Sequence, residues 1–174
     1  MDFRKHAIIL AVIEALHRHG SWTGKTHVQK ALSLLRDART ADVPFQFVLY
    51  KHGPYSFDIE DELEQMQSYG AIAVEPNPAG YGVVLQSSSG ARLVSGFATL
   101  MEREKQAIEE VCEFVGNRTV GELERLATAS WIRSQEHISD AKQAAERLHT
   151  LKPHIPIADA EKAYREITEW RELS

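Results

Sequence analysis

The first motif that could do chemistry is Gly24-Lys25-Thr26, which has the residue types that close a phosphate-binding loop. Such a loop also needs a glycine five positions before its second glycine and a preceding strand, so that backbone amides surround the phosphate. Gly20 is only four positions before Gly24, and a helix is predicted ahead of it. The sequence therefore favours a helix start at this point over a nucleotide site.

Glu60 and Glu64 are a second candidate because they lie four residues apart. This spacing puts both carboxylates on one face of a helix, where a buried one could act as a general acid or base. Five acids fall within the same amphipathic stretch, which is more typical of a solvated face. Ser56 lacks the Gly-x-Ser-x-Gly frame of a nucleophile elbow. We therefore expect no catalytic residue.

Eight histidines and one cysteine are the residues that could bind a metal. His17 and His19 are two apart, which places them on opposite sides of a helix. The chain contains neither a His-Glu-x-x-His motif nor paired Cys-x-x-Cys motifs. Cys112 falls on the apolar stripe of a predicted helix, where a cysteine behaves as a small hydrophobe. The sequence predicts no metal site, no cofactor and no enzymatic activity.

Charge is distributed unevenly over the chain, whose net charge is −5. Residues 1–53 carry about +4, whereas residues 54–75 contain six acids and no Lys or Arg. No apolar stretch approaches the roughly 18 residues of a membrane helix, and a single cysteine fits a reducing compartment. We therefore expect a soluble protein of the cytoplasm.

The elements that must position these residues follow from the hydrophobic periodicity, which alternates between the helical and the strand repeat. A first helix is predicted over 3–19 and a second over about 24–37, with Lys25, Gln29, Lys30 and Arg36 facing outward. An aromatic strand over 45–50 leads to a sharp turn at Gly53-Pro54, and a third helix spans about 57–69. Two strands, 71–75 and 81–86, flank a loop of turn-forming residues.

The remainder of the chain is predicted to be helical. Four helices are expected. The first spans 100–115, and the second begins at a capping box of Thr119 and Glu122 and ends at Trp131. The third is capped by Ser139, and the fourth ends at about Trp170. The fold class is mainly α (α+β). A winged helix-turn-helix unit over residues 1–92 precedes a helical unit over 93–174, which packs on it to give one compact domain.

Winged-helix modules read DNA or bind proteins, and the charges favour the second role. The third helix carries five acids and the loop between the wing strands carries no Lys or Arg, so phosphates would be repelled from the usual groove-reading elements. A DNA-binding regulator that docks through the basic second helix is the alternative. Its nucleic-acid contacts would be Lys25, His27, Lys30, Arg36 and Arg39.

Three short motifs resemble a known family. They are residues 26–32 (Thr-His-Val-Gln-Lys-Ala-Leu), residues 45–56 with their Tyr-x-x-Gly-Pro-Tyr-Ser core, and the spacing of Leu63, Gly70 and Ile72. These are similar to YwgA-like proteins and to the broader Panacea (SocA-like) antitoxin domain; residues 123–129 and 151–154 also look like the tail of that group. The resemblance implies a small bacterial or phage protein that neutralises or presents a partner protein and is not an enzyme.

The predicted partner surface follows from these motifs, and the partner could be a toxin encoded next to this chain. Its residues are Gln29, Lys30, His52, Gly53, Pro54 and Tyr55. Two plainer interpretations stay open: Gly53-Pro54 is only a turn before a helix, and Gln29-Lys30 is only a solvated face. Whether the chain forms a homodimer also stays open.

Overall fold

The computed structural model describes residues 2–38, 41–78, 82–94, 102 and 104–173. The protein is mainly helical with two small antiparallel sheets. The elements, in chain order, are α1 (Phe3–Arg18), α2 (Lys25–Ala38), β1 (Val48–Tyr50), β2 (Gly53–Tyr55), α3 (Phe57–Ser68), β3 (Ile72–Pro76), β4 (Val83–Ser87), a short 3₁₀ helix (Ser89–Leu93), α4 (Lys105–Val115), α5 (Val120–Gln135), α6 (Ala141–Leu151) and α7 (Ile157–Leu173).

The hydrophobic core runs through both halves of the chain. Helix α1 packs on α4, and α2 packs on α5, while α7 covers α5 and α6. The inner stripe predicted for α3 is confirmed, since Ile59, Leu63 and Met66 are fully buried. None of the described helices has the length and hydrophobicity needed to span a bilayer.

Strands β1 and β2 form a tight hairpin with Leu49 opposite Pro54. The prediction of a turn at Gly53-Pro54 is therefore wrong: both residues lie in β2, and the turn falls at Lys51-His52. The strand predicted over 45–50 is shorter than expected. Val48 already pairs with Tyr55, and the chain then enters α3, which leaves no residue of β2 to pair with 45–47.

Strands β3 and β4 form the second sheet, which pairs Val74 with Leu85. In the described part of the chain they do not pair with β1 or β2. Residues 79–81, which contain the end of the predicted loop between these strands and Tyr81, lie outside the described residues. This ribbon follows α3 directly and also contacts α1.

Among the described residues, the four C-terminal helices match the four predicted ones, and they differ from them at their ends. The capping box of Thr119 and Glu122 is confirmed at the start of α5, but α5 continues past Trp131 to Gln135. Helix α6 is capped by Asp140, whose carboxylate accepts from the Gln143 amide at 2.9 Å, and not by Ser139. Helix α4 begins at Lys105, after the predicted start at residue 100; residues 95–101 and 103 lie outside the described residues.

Candidate functional site

The β1–β2 hairpin is fixed at its exit by a buried glutamine of α2. The Gln29 amide donates to the Ser56 carbonyl at 2.8 Å and accepts from the Ser56 N–H at 2.9 Å. Both side chains are buried, so these two bonds satisfy backbone groups that water does not reach. Gln29 thereby sets the point at which β2 passes into α3.

The neighbouring residue, Lys30, holds the middle of β2. Its Nζ donates to the Pro54 carbonyl at 2.7 Å, although the residue is only 2% exposed. Desolvation lowers the pKa of Lys30 to about 8, and the nearby Glu124 carboxylate partly opposes this shift. A buried ammonium group is thus used to fix a main-chain carbonyl.

A second buried lysine, from the C-terminal part of the chain, fixes the turn of the hairpin. Lys152 follows α6, and its Nζ donates to the carbonyls of Tyr50, at 2.5 Å, and Lys51. Burial lowers its pKa, again against the attraction of Glu124. Two elements more than a hundred residues apart are therefore joined at the turn.

Helix α5 lies directly behind the hairpin. Gly53 has a φ of +86°, a conformation that glycine adopts without strain. A Cβ at this position would come within 2.7 Å of the Thr128 Oγ1. Only glycine satisfies both the backbone angle and this close approach.

Glu124 is the acidic group behind the hairpin. Its side chain is buried, and its two oxygens face exposed histidines: Oε1 lies 3.2 Å from the His154 Nε2, and Oε2 lies 3.7 Å from the His52 Nδ1. The Glu124 carboxylate also attracts the two buried ammonium groups, those of Lys30 and Lys152.

A cavity of about 200 Å³ opens between α2, the hairpin and the first turn of α3. It is lined by Lys25, Thr26, Gln29, Lys30, Tyr50, Lys51, His52, Gly53, Tyr55 and Glu60. An ion pair between Lys25 and Glu60 closes one side, and the Tyr55 hydroxyl lies 3.4 Å from the same glutamate. We call this space the hairpin cavity.

Three aromatic rings stand beside the cavity and form what we call the aromatic triad. Tyr50, Tyr55 and Phe57 have ring centroids 5.1 to 5.8 Å apart. Tyr50 is 47% exposed and Phe57 is 57% exposed. Such large exposed rings in mutual contact are the usual composition of protein-binding surfaces.

The structure brings the six predicted partner residues together at one place. All except Pro54 line the hairpin cavity, yet Gln29, Lys30, Gly53 and Pro54 are buried, and only His52 and Tyr55 reach the surface. The expectation that Gln29 and Lys30 face outward is wrong because the hairpin covers that side of α2. Periodicity assigns polar residues to solvent and does not reveal main-chain groups that they could bond.

The basic residues of α2 that formed the nucleic-acid alternative are engaged within the chain. Lys25 pairs with Glu60, Lys30 bonds to Pro54, and His27 is buried with its Nε2 3.0 Å from the Arg118 carbonyl. Arg36 pairs with the buried Asp37 and lies over the rings of Phe47 and Trp131. Arg39 lies outside the described residues.

The remaining candidates from the sequence lie in the core or at the start of a helix. Burial raises the pKa of the Cys112 thiol to about 12, so the thiolate is not formed at neutral pH. Ser56 is fully buried, and Lys25 opens a helix rather than closing a loop. In the described ranges no three His, Cys, Asp or Glu residues converge in a way that could hold a metal.

Sequence reasoning missed the residues that come from other elements. Lys152, Glu124 and Thr128 lie far from the hairpin along the sequence, and no local pattern links them to it. Tyr50 and Phe57 could have been found, since both are aromatic residues that flank the Gly-Pro motif. No family model matches the chain, and no curated protein matches it.

Proposed function

We propose that the chain is a non-enzymatic interaction module that binds a partner protein through the aromatic triad and the hairpin cavity. In this proposal it is antitoxin-like and acts in the cytoplasm, where it neutralises or presents a partner encoded next to it. Residues 1–92 act as a winged-helix unit, with β3 and β4 as its wing after α3.

The aromatic triad is the observation that carries this proposal. Two of its rings, Tyr50 and Phe57, are exposed. The hairpin that carries Tyr50 and Tyr55 is nevertheless held by Gln29, Lys30 and Lys152, from two separate helices or their ends. A surface that is already rigid loses little conformational entropy when it binds. Exposed tyrosine and phenylalanine on such a support are frequent binding hot spots.

The charges around the triad support a protein partner over DNA. Along α3, Phe57, Asp61 and Glu64 follow one exposed face, and the two acids have no ion-pair partner among the described residues. A phosphate backbone approaching α3 would meet these carboxylates. Helix α2, the basis of the DNA-binding alternative, has its described cations engaged within the chain.

Co-expression with the product of the neighbouring gene tests the proposal. We expect the chain to relieve the toxicity of that product and to co-purify with it. The double variant Tyr50→Ser/Phe57→Ser should weaken binding at least tenfold, on the order of a hot-spot loss, while leaving the thermal stability close to that of the wild type.

Ile157→Ser is the matched control, because Ile157 is also a large exposed apolar residue but lies on α7. It should bind as the wild type does. The proposal fails if no partner co-purifies and toxicity is unchanged, or if removing both rings leaves the affinity as it was.

A further inference from the structure

We propose that the hairpin cavity binds a carboxylate side chain, Asp or Glu, presented by an acidic segment of the partner protein. This inference rests on the proposed function and adds the chemistry of the group that is recognised. The Lys51 ammonium and the buried Lys30 ammonium would hold the carboxylate, and the rings of Tyr50 and Tyr55 would contact the apolar part of the same segment.

The cavity and its surroundings carry an excess of positive charge. Lys25, Lys30 and Lys51 line it, and Lys152 lies behind the turn. Two carboxylates, those of Glu60 and Glu124, oppose these four ammonium groups. With the histidines neutral, the formal charge is about +2, which an incoming carboxylate would reduce.

Two of these ammonium groups make no ion pair with any described residue. Within the described residues, no carboxylate lies within ion-pair distance of the Lys30 or the Lys51 Nζ. Lys30 is only 2% exposed, and its recorded hydrogen bond uses one of three N–H groups. An added anionic acceptor therefore strongly stabilises this buried ammonium group. Lys51, which is exposed, provides the entry point.

The size and the neighbours of the cavity restrict the occupant. A cavity of about 200 Å³ is below the roughly 300–1,000 Å³ that drug-sized ligands occupy, but it accommodates one side chain. A polyanion such as a nucleic acid would extend over the exposed face of α3 and meet Asp61 and Glu64. A single carboxylate next to an apolar residue avoids this repulsion and uses the aromatic triad.

A matched pair of peptides, acetyl-Leu-Glu-Leu-amide and acetyl-Leu-Gln-Leu-amide, tests the proposal. Each is titrated into the full chain, and binding is followed by the NMR signals of the Gly53 amide and of the Tyr50 and His52 rings. We expect the glutamate peptide to shift these signals and to bind about tenfold more tightly than the glutamine peptide, as a charge-assisted contact predicts.

Two charge-reversal variants make this test specific. Lys51→Glu should weaken the glutamate peptide about tenfold, because Lys51 is exposed and reversal affects the cavity alone. Lys142→Glu, at the end of α6 opposite to Lys152, makes the same change of charge on another exposed lysine and should leave the affinity unchanged. Circular dichroism of both variants should match the wild type.

Several results would overturn the inference. Equal affinity for the two peptides, or the same loss of affinity in both charge variants, would show that no carboxylate is recognised here. Acetate that shifts the same signals with the affinity of the glutamate peptide would indicate a site for free small anions instead of a partner segment.

The two proposals fail separately. If a partner co-purifies and its affinity is unaffected by Lys51→Glu, the proposed function stands and the cavity inference is wrong. If the glutamate peptide binds as expected and the neighbouring gene product does not, the inference stands and the proposed partner is wrong.

Discussion

The buried polar side chains of the site act mainly on the main chain. Gln29, Lys30 and Lys152 each bond to backbone groups between residues 50 and 56. An isolated hairpin with strands of three residues is marginal in water. These bonds give the β1–β2 hairpin a fixed shape that its own strand pairing could not provide.

The first prediction concerns the paired bonds of Gln29. Gln29→Met keeps the size of the side chain but leaves the Ser56 N–H and carbonyl without their partner. We expect the free energy of unfolding to fall by about 3 kcal/mol, because two buried hydrogen bonds are lost and both backbone groups lose their partner. Urea denaturation measures it. Gln67→Met, on the exposed side of α3, should change stability by about 0.5 kcal/mol or less.

The second prediction concerns the pH dependence of stability that Lys30 contributes. Its pKa is about 8 in the folded protein and 10.5 in its unperturbed state. Between these values the folded protein has released the proton and the unfolded chain still binds it, so the free energy of unfolding rises with pH. The penalty is fully present below pH 8 and is relieved by pH 10.5.

Denaturation from pH 7 to 10.5 in parallel with Lys30→Met isolates this contribution, because the tyrosines and other lysines titrate in both proteins. The wild type should gain stability relative to the variant by at most about 3 kcal/mol over this range. A constant difference between the two proteins would contradict a lowered pKa.

At the scale of elements, the hairpin approaches α5 closely at Gly53. Gly53→Ala would add strain at a φ of +86° and a Cβ at 2.7 Å from the Thr128 Oγ1. We expect a loss of about 2–3 kcal/mol in the free energy of unfolding, divided between the backbone and the overpacked contact. Thermal or urea denaturation of the purified variant gives this value.

The double variant Gly53→Ala/Thr128→Ala separates the two causes. Removing the Thr128 hydroxyl relieves the close contact but leaves the backbone strain, so part of the loss should be recovered. If the two substitutions are simply additive, the contact with α5 is not a cause of the destabilisation.

The elements themselves could be predicted better than their contacts. Helices α1 to α3 and the capping box of α5 follow from periodicity and local chemistry, which act over a few residues. Strand β2 was missed because Gly53-Pro54 is the usual composition of a turn. The burial of Lys30 was missed because the carbonyl that it bonds lies 24 residues away. The partner of Lys152 is more distant still.

At the scale of the whole molecule, the two predicted units share one core. Helix α2 packs on α5 and α1 packs on α4, while Asp37 of α2 is buried against Ser130 of α5, at 2.9 Å between Oδ2 and Oγ. Extensive apolar contact between these helices favours a single cooperative unfolding transition. We expect residues 1–92 and 93–174 to unfold together.

Leu123→Ala tests this cooperativity. Leu123 is fully buried in α5, and its truncation should lower the free energy of unfolding by about 3 kcal/mol. Variants that keep only Trp22 or only Trp170 report the two parts of the chain separately by fluorescence. Both transitions should shift to lower urea by the same amount. A shift at Trp170 alone would mean that the parts unfold independently.

The bond from Lys152 to the carbonyls of Tyr50 and Lys51 also has a consequence for the timing of synthesis. While the chain is being made on the ribosome, the hairpin emerges about a hundred residues before the lysine that fixes its turn. The proposed recognition surface would therefore be incomplete until Lys152 has been translated. A nascent chain stalled before Lys152 should fail to capture a partner that the released protein binds.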